Sequence, residues 1–412
     1  MKTAGALLVI AAGLARAQLL TPVWVELGDE GKVLARVVVQ APADCPSIQL
    51  DGAAARMILR TPVPAGMRPA CELAIPAGTK KAAVNGKPLA LPRANPSKIV
   101  VFGDTGCRIK GDRIQDCNNP ALWPLPSVAL RAASEKPSLV VHVGDYLYRE
   151  TKCPEPQRAI CGSVAPGDHW ETWTADFFAP AAPLLAAAPW AFSRGNHEDC
   201  SRSWKGWFYY LDPRPWTGVC EKYTPAYLIT LGRFQLAMLD SSAADDRKVD
   251  PKQVAEYASE LASLHAVNAW LVDHHPFWGL KTSEDGTPGP AAVLTGCLAA
   301  AWDQARPAGI HLVVSGHTHL FELLGYDHGR PAQLIAGDGG TKLSGPLPNS
   351  LAGTQINGAT VVAGATEHEF GYTLFQRKGH GWKLALKGPE RGTIVHCTVQ
   401  GNQTACKAKR HG

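Results

Sequence analysis

Five short segments hold most of the acids, amides and imidazoles that could do chemistry in this chain, and each comes directly after a predicted strand. They are Gly103-Asp104-Thr105-Gly106, Gly144-Asp145, Gly195-Asn196-His197-Glu198, His274-His275-Pro276 and Gly316-His317-Thr318-His319. In open α/β folds, ligands gather in the crevice beyond the carboxyl ends of the strands, so five such endings can face one site. Glycine lets the chain turn sharply there, and the side chain that follows is aimed into the crevice. The wider pattern predicts the same class. Short apolar runs at 99–102, 139–143, 270–272 and 311–314 alternate with helix-like segments near 127–135, 169–179, 251–267 and 290–305. Strand-like runs at 228–231, 234–239, 320–324, 333–335, 372–376 and 382–386 are not all separated by helices. They predict a second, mixed sheet, giving an α/β fold of two facing sheets with helices outside.

The flanking regions read differently. Residues 18–97 are predicted to be a small all-β domain. Apolar runs at 23–27 and 32–39 flank Gly28-Asp29-Glu30-Gly31 as a hairpin with a four-residue turn, and further runs at 71–75, 80–84 and 87–91 suit a sandwich. A Pro-rich stretch at 91–96 serves as linker, residues 98–390 form the α/β domain, and 391–412 are expected to be a tail. Segments 107–126 and 150–168, rich in Cys, Pro and Gly, are expected as disulfide-tied loops over the mouth of the site.

Lys2, the apolar run 4–14 and Ala15-Arg16-Ala17 have the form of a signal peptide over residues 1–17, cleaved before Gln18. That run is well short of the roughly 20 residues a membrane-crossing helix needs. A later apolar region, 177–192, is broken by Pro180, Pro183 and Pro189. The expectation is a secreted or periplasmic protein without a membrane span. Cysteine usage agrees with it. Ten of the eleven cysteines pair by proximity as Cys45 with Cys71, Cys107 with Cys117, Cys153 with Cys161, Cys200 with Cys220 and Cys397 with Cys406, which leaves Cys297 over. No C-x-x-C pair occurs to suggest a thiolate zinc site. The net charge of +5 falls to about +3 without Lys2 and Arg16, and it is spread without a long basic run. Such a balance suits a small anionic substrate and gives no reason to expect nucleic acid.

Carboxylate, amide oxygen and imidazole without thiolate suit iron, zinc or manganese. In two-metal hydrolases the ions lie about 3.5–4 Å apart, and one carboxylate can bridge them. His317 and His319, two apart, would face the same side of an extended strand end.

Taken in order, GDTG, GDYLY, GNHE, HHP and GHTH span residues 103–319. In that order the sequence resembles the calcineurin-like metallophosphoesterases and, within them, the purple acid phosphatases. The resemblance implies a four-layer α/β/β/α sandwich. It also implies two metal ions, with Asp104 and His319 on the first, Asp145 bridging, and Asn196, His274 and His317 on the second. Tyr148 stands where purple acid phosphatases carry a tyrosine that binds Fe(III) as phenolate, so the implied pair is iron with zinc, manganese or a second iron. Ordinary aromatic packing is the alternative for Tyr148. His197 is implied near the leaving group, where an imidazole can act as general acid and raise the rate by roughly 10² to 10⁴. Glu198 and Asp199 are expected to hydrogen-bond it. The segment after His274 lacks the further histidine of the animal enzymes, which leaves other phosphate contacts open.

His142 is expected to be a buried residue behind the ligands or in the core rather than a ligand, and His275 either touches substrate or orients His274. His311, His368, His380 and His396 are expected to be structural. The activity implied is a dinuclear-metal phosphatase that cleaves small phosphomonoesters by attack of metal-activated hydroxide. A phosphodiesterase or nucleotidase on the same metal core is the alternative. A non-catalytic secreted binding protein would have lost ligand positions, and here all are filled.

Overall fold

The strands that lead to the five motifs are apolar on both faces because both faces are covered. The computed structural model describes residues 18–282, 288–290, 292–348, 350–390 and 392–407. The expected leader, residues 1–17 with its cleavage before Gln18, lies outside the described residues. Lys98–Phe102, Leu139–His142 and Pro189–Phe192 run parallel within an eleven-stranded sheet. Phe234–Met238, Ala269–Val272, Ile310–Ser315 and Ala332–Ala336 run parallel within an eight-stranded one.

Successive side chains point to opposite faces of a strand. Ile99, Val101, Leu139, Val141 and Ala191 of the first sheet therefore share one apolar layer with Leu236, Met238, Trp270, Val272, Leu312 and Val314 of the second. Their neighbours face outward. Val100, Phe102, Val140, Trp190 and Phe192 meet helices Leu125–Ser134 and Ala179–Leu185 through Val128, Ala129 and Leu184. On the far side, Ala237, Ala269, Leu271 and Val313 meet helices Pro251–Ser263 and Ala292–Ala305 through Tyr257, Leu261 and Leu298. The layers are α/β/β/α, as the motifs implied.

One predicted helix is longer than its pattern suggested. The segment expected at 169–179 runs as Trp170–Trp173, a wider turn at Thr174–Phe178 and then Ala179–Leu185. Pro180 sits in the first turn of the last piece, a position where proline is tolerated.

The ends of the chain extend the first sheet. The expected hairpin forms between Trp24–Leu27 and Val33–Val38. Trp24–Leu27 also pairs in parallel with Pro189–Phe192, so four amino-terminal strands continue the central sheet across the stretch at 91–96 that was expected as a linker. Only Ser47–Leu50, Ala53–Arg56, Ala82–Val84 and Lys87–Pro88 form a small separate sheet. At the other edge Thr393–Gln400 and Gln403–Lys407 form a hairpin where a tail was expected, closed by Cys397–Cys406. The other four disulfides also join the pairs expected from proximity, and Cys297 is free and buried. Among the described residues no helix is long and apolar enough to cross a membrane.

A buried ion network anchors the amino-terminal strands. Arg36, fully buried, donates to Glu26 and Glu72 at 2.9 Å each and to the carbonyls of Tyr210 at 2.6 Å and Asp212 at 3.1 Å. Arg60 binds Glu72 and the carbonyls of Phe208 and Arg214. Burial outweighs the attraction of Arg36 and Arg60 and pushes the Glu26 carboxyl up to about 8. Removing one partner from such a network strands the others in a low-dielectric interior. Arg36→Met should cost roughly 3–5 kcal/mol of stability in urea unfolding. The same change at exposed Arg233 should cost less than about 0.5 kcal/mol. Equal losses at the two positions would contradict this account.

Candidate metal centre

Each motif lies at the carboxyl end of a strand in one of the two sheets. Asp104 follows Lys98–Phe102, Asp145 follows Leu139–His142, and Asn196 follows Pro189–Phe192 in the first sheet. His274 follows Ala269–Val272, while His317 and His319 follow Ile310–Ser315 in the second. The turns are tight. Asp104, Asp145 and His317 have φ values of 55°, 59° and 69°, in the left-handed region that residues with a side chain rarely adopt. Strain of this kind persists only where surrounding contacts hold it. Gly195 permits the closest approach: a Cβ there would lie 2.1 Å from Asp145 Oδ1 and 2.2 Å from its backbone nitrogen.

The polar atoms fall into two groups that share one carboxylate. In the first, the Tyr148 hydroxyl lies 2.8 Å from Asp104 Oδ1, 2.7 Å from Asp145 Oδ2 and 3.0 Å from His319 Nε2. In the second, Asn196 Oδ1 lies 3.0 Å from His274 Nε2 and 2.9 Å from His317 Nδ1. Asp145 Oδ1 is 3.3 Å from His274 Nε2. The Asp145 carboxylate thus turns one oxygen to each group.

Neighbouring carbonyls orient the rings. His274 Nδ1 donates to Val143 O at 2.8 Å, and His319 Nδ1 donates to Lys342 O at 2.9 Å. In each ring this leaves the Nε2 lone pair facing the cluster. The cluster is therefore rich in acceptors. Tyr148 has one proton for three acceptors, and His274 Nε2 faces His317 Nδ1 at 3.3 Å. Ligand atoms held at about 2.0–2.2 Å from one ion lie about 3 Å from each other, so these separations suit a cation within each group. Among the described residues Asp145, His274 and His317 meet the spacing of a metal-holding triad. The donor set fits metal ions.

The electrostatics follow from burial and this crowding. Burial opposes the charged form of His274, but with no cation beside it the Asp145 carboxylate overcomes burial and raises the imidazole to about 10, so a metal ion would take the place of the Nε2 proton. Asp145 is correspondingly held well below the usual carboxylate range by His274 and His197, against the effect of burial. Burial, then Asp104 and Asp145, push the Tyr148 phenol well above its ordinary value. Only a cation among these donors would favour the phenolate.

His197 lies beside Asp145. Its Nδ1 donates to Leu147 O at 2.8 Å, with Glu150 at 3.4 Å, and its Nε2 is 3.8 Å from Asp145 Oδ2. Burial lowers its imidazole to about 4. Glu198 and Asp199 do not hold this ring, contrary to expectation. Glu198 instead accepts from the backbone nitrogens of Asp145, Tyr146, Leu147 and Gly195, at 2.8–3.3 Å, and so grips the turn that presents Asp145. Asp199 caps Ser201.

Among the remaining histidines, the His142 side chain is buried behind the site, between Thr105 Oγ1 and the Gly144 nitrogen. The His275 ring lies against that of His317, tilted by 37° with centres 4.1 Å apart. His311 pairs with Asn402 away from the cluster.

A cavity of about 430 Å³ opens over these groups. Besides Asp145, Asn196, His197, His317 and His319, it is lined by Arg108, Arg113, Lys281, Lys342, Asp246 and Ser344, none of which the motifs pointed to. Arg108 and Arg113 lie in the loop 107–126 that the sequence marked as covering the mouth, and this was the one available signal. Loops decide what a site accepts.

A family model for the calcineurin-like phosphoesterases matches residues 97–321. This chain belongs to that family, which makes it a metal-dependent hydrolase of phosphoric esters, and the fold implies divalent metal ions. The purple acid phosphatase PPD1 from yellow lupin (Lupinus luteus) seeds is 13% identical, with a TM-score of 0.57 over 95% of this chain and 76% of that one. PhoD is 12% identical, with a TM-score of 0.60 over 98% of this chain and 95% of that one. At such identities the likeness concerns the fold. Comparison with curated protein sequences gives no match.

The Gly195 contact yields a test. Gly195→Ala should push Asp145 out of position, lowering metal content and reducing ester hydrolysis by roughly 10²-fold, while circular dichroism stays native. Near wild-type turnover with full metal would show that Asp145 tolerates the displacement.

Proposed function

We propose that this chain is an exported phosphatase that hydrolyses phosphomonoesters at two metal ions. Asp104, Asp145, Tyr148 and His319 would hold one ion, and Asp145, Asn196, His274 and His317 the other. The observation that carries the reading is the pair of donor groups meeting at a single carboxylate, Asp145. Bound there, the ions would supply an activated water nucleophile and neutralise charge on the phosphoryl oxygens. A phenolate at Tyr148 favours a trivalent ion, which is why iron is proposed at the first position, beside zinc, manganese or a second iron. Five disulfides support export, since such bonds persist in oxidising compartments.

The protein's own groups would bind the ester and manage its proton. His197 keeps Nδ1–H committed to Leu147 O, so a second proton for a departing alkoxide would sit on Nε2, on the Asp145 side, and since burial lowers this imidazole to about 4 it is carried in acid. The ring is clamped against Tyr148, with centres 4.0 Å apart, and cannot swing without breaking both contacts. Arg108 also lines the cavity, its guanidinium 4.7 Å above the Tyr148 ring, where it can meet the non-bridging oxygens of a phosphate.

A panel of aryl and alkyl esters tests both parts of this reading. The metal-loaded protein should hydrolyse mono-aryl phosphates in preference to bis-aryl phosphates, and the reverse order would make it a phosphodiesterase. Assayed in acid, where the imidazole holds its second proton, His197→Ala should lower turnover by roughly 10² or more on alkyl phosphates, whose leaving groups need a proton, and much less on esters of acidic phenols. An equal loss on both would assign His197 to holding the site together.

A further inference from the structure

The cavity above the metal donors carries more positive charge than one phosphate group needs. Arg108, Arg113 and Lys342 all line it, and among the described residues none has a carboxylate within ion-pairing distance. Arg108 Nε is buried without a hydrogen-bond partner. The side chains of Arg113 and Lys342 are exposed, so each keeps its charge free for a ligand. Among the described residues Asp246 is the one acid lining the cavity apart from Asp145, and it faces His317 at 4.0 Å.

These cations are tied to the donor cluster. Gln115, almost fully buried, accepts with its Oε1 from the backbone nitrogens of Arg108 at 3.0 Å and Lys342 at 3.1 Å. Its Nε2 donates to Leu122 O at 2.6 Å and Gly340 O at 2.8 Å. One amide thereby locks two loops from distant parts of the sequence side by side, and the Cys107–Cys117 disulfide closes the first of them. Lys342 O also receives the His319 Nδ1 proton, and Arg108 lies over the Tyr148 ring. Both cations are therefore one contact away from groups proposed to hold metal. Arg113 stands on the short hairpin of Ile109–Lys110 with Arg113–Ile114 and lines the same cavity.

We propose that this rim is a second anion subsite, and that the preferred substrate is a small phosphate ester bearing a second phosphate group. The proposal rests on the phosphatase reading above and specifies its substrate class. One phosphate would occupy the metal site beside Arg108, while Arg113 and Lys342 would receive the other through charge-assisted hydrogen bonds.

The test compares fructose 6-phosphate with fructose 1,6-bisphosphate on the metal-loaded protein, reading phosphate release. Hydrogen bonds to charged groups are strong enough that kcat/KM should favour the bisphosphate by at least about tenfold. This advantage should shrink as salt rises, because the added attraction is between charges near the surface. The double variant Arg113→Ala/Lys342→Ala should bring the ratio of the two kcat/KM values close to one. A wild type that cleaves the monophosphate equally well overturns the subsite and leaves the phosphatase standing. So does a double variant that loses both substrates in proportion. A metal-loaded protein that releases phosphate from neither ester, nor from aryl phosphates, overturns the reading beneath and the subsite with it.

Discussion

The Asp145 carboxylate is fully buried, left-handed in its backbone and crowded by acceptors, so it needs positive charge on both oxygens. Much of the surrounding structure serves to hold it there. The His197 nitrogen donates to Oδ1 at 2.9 Å, Glu198 secures the backbone on either side, and the missing side chain of Gly195 leaves the room it occupies. Burial, followed by the charge of Asp145, pushes Glu198 up to about 8. The site therefore concentrates negative character on buried carboxylates, and cations are the partners that offset it.

Such an arrangement cannot be built on one sheet. Asp104, Asp145 and Asn196 come from the first sheet, and His274, His317 and His319 from the second, so the donor set assembles only when the two sheets pack face to face. The interior layer around Val101, Val141, Trp270 and Val314 fixes that relation. Close packing makes it rigid, since few side chains in such a layer can shift without opening a void. The helices outside play a supporting part: each covers the second face of strands whose ends do the chemistry.

Local pattern carried the parts of this molecule that depend on local chemistry. Strands ending in glycine and a donor residue could be read directly, as could the five cysteine pairs, because neighbours in sequence are neighbours in space there. The amino-terminal hairpin could be read too, but its union with Pro189–Phe192 could not. That pairing is held by Arg36 reaching Tyr210 and Asp212, contacts across about 175 positions of sequence. The carboxyl-terminal hairpin was missed for a similar reason: its partners are strands already in place. Arg108, Arg113 and Lys342 carry no motif, and Gln115 unites two of their loops across more than 220 positions. Glu198 was identified as a supporting residue, but its partners are backbone nitrogens of another strand end, which no pattern of side chains reveals.

The proposal that one carboxylate serves two ions is tested most directly by counting metal. Purified, metal-loaded protein analysed by elemental mass spectrometry should contain two ions per chain. In Asp145→Asn both positions should empty together, since a neutral amide leaves each donor group without its shared charge. An Asp145→Asn protein that keeps two ions, or a fully active wild type that holds only one, would contradict the account.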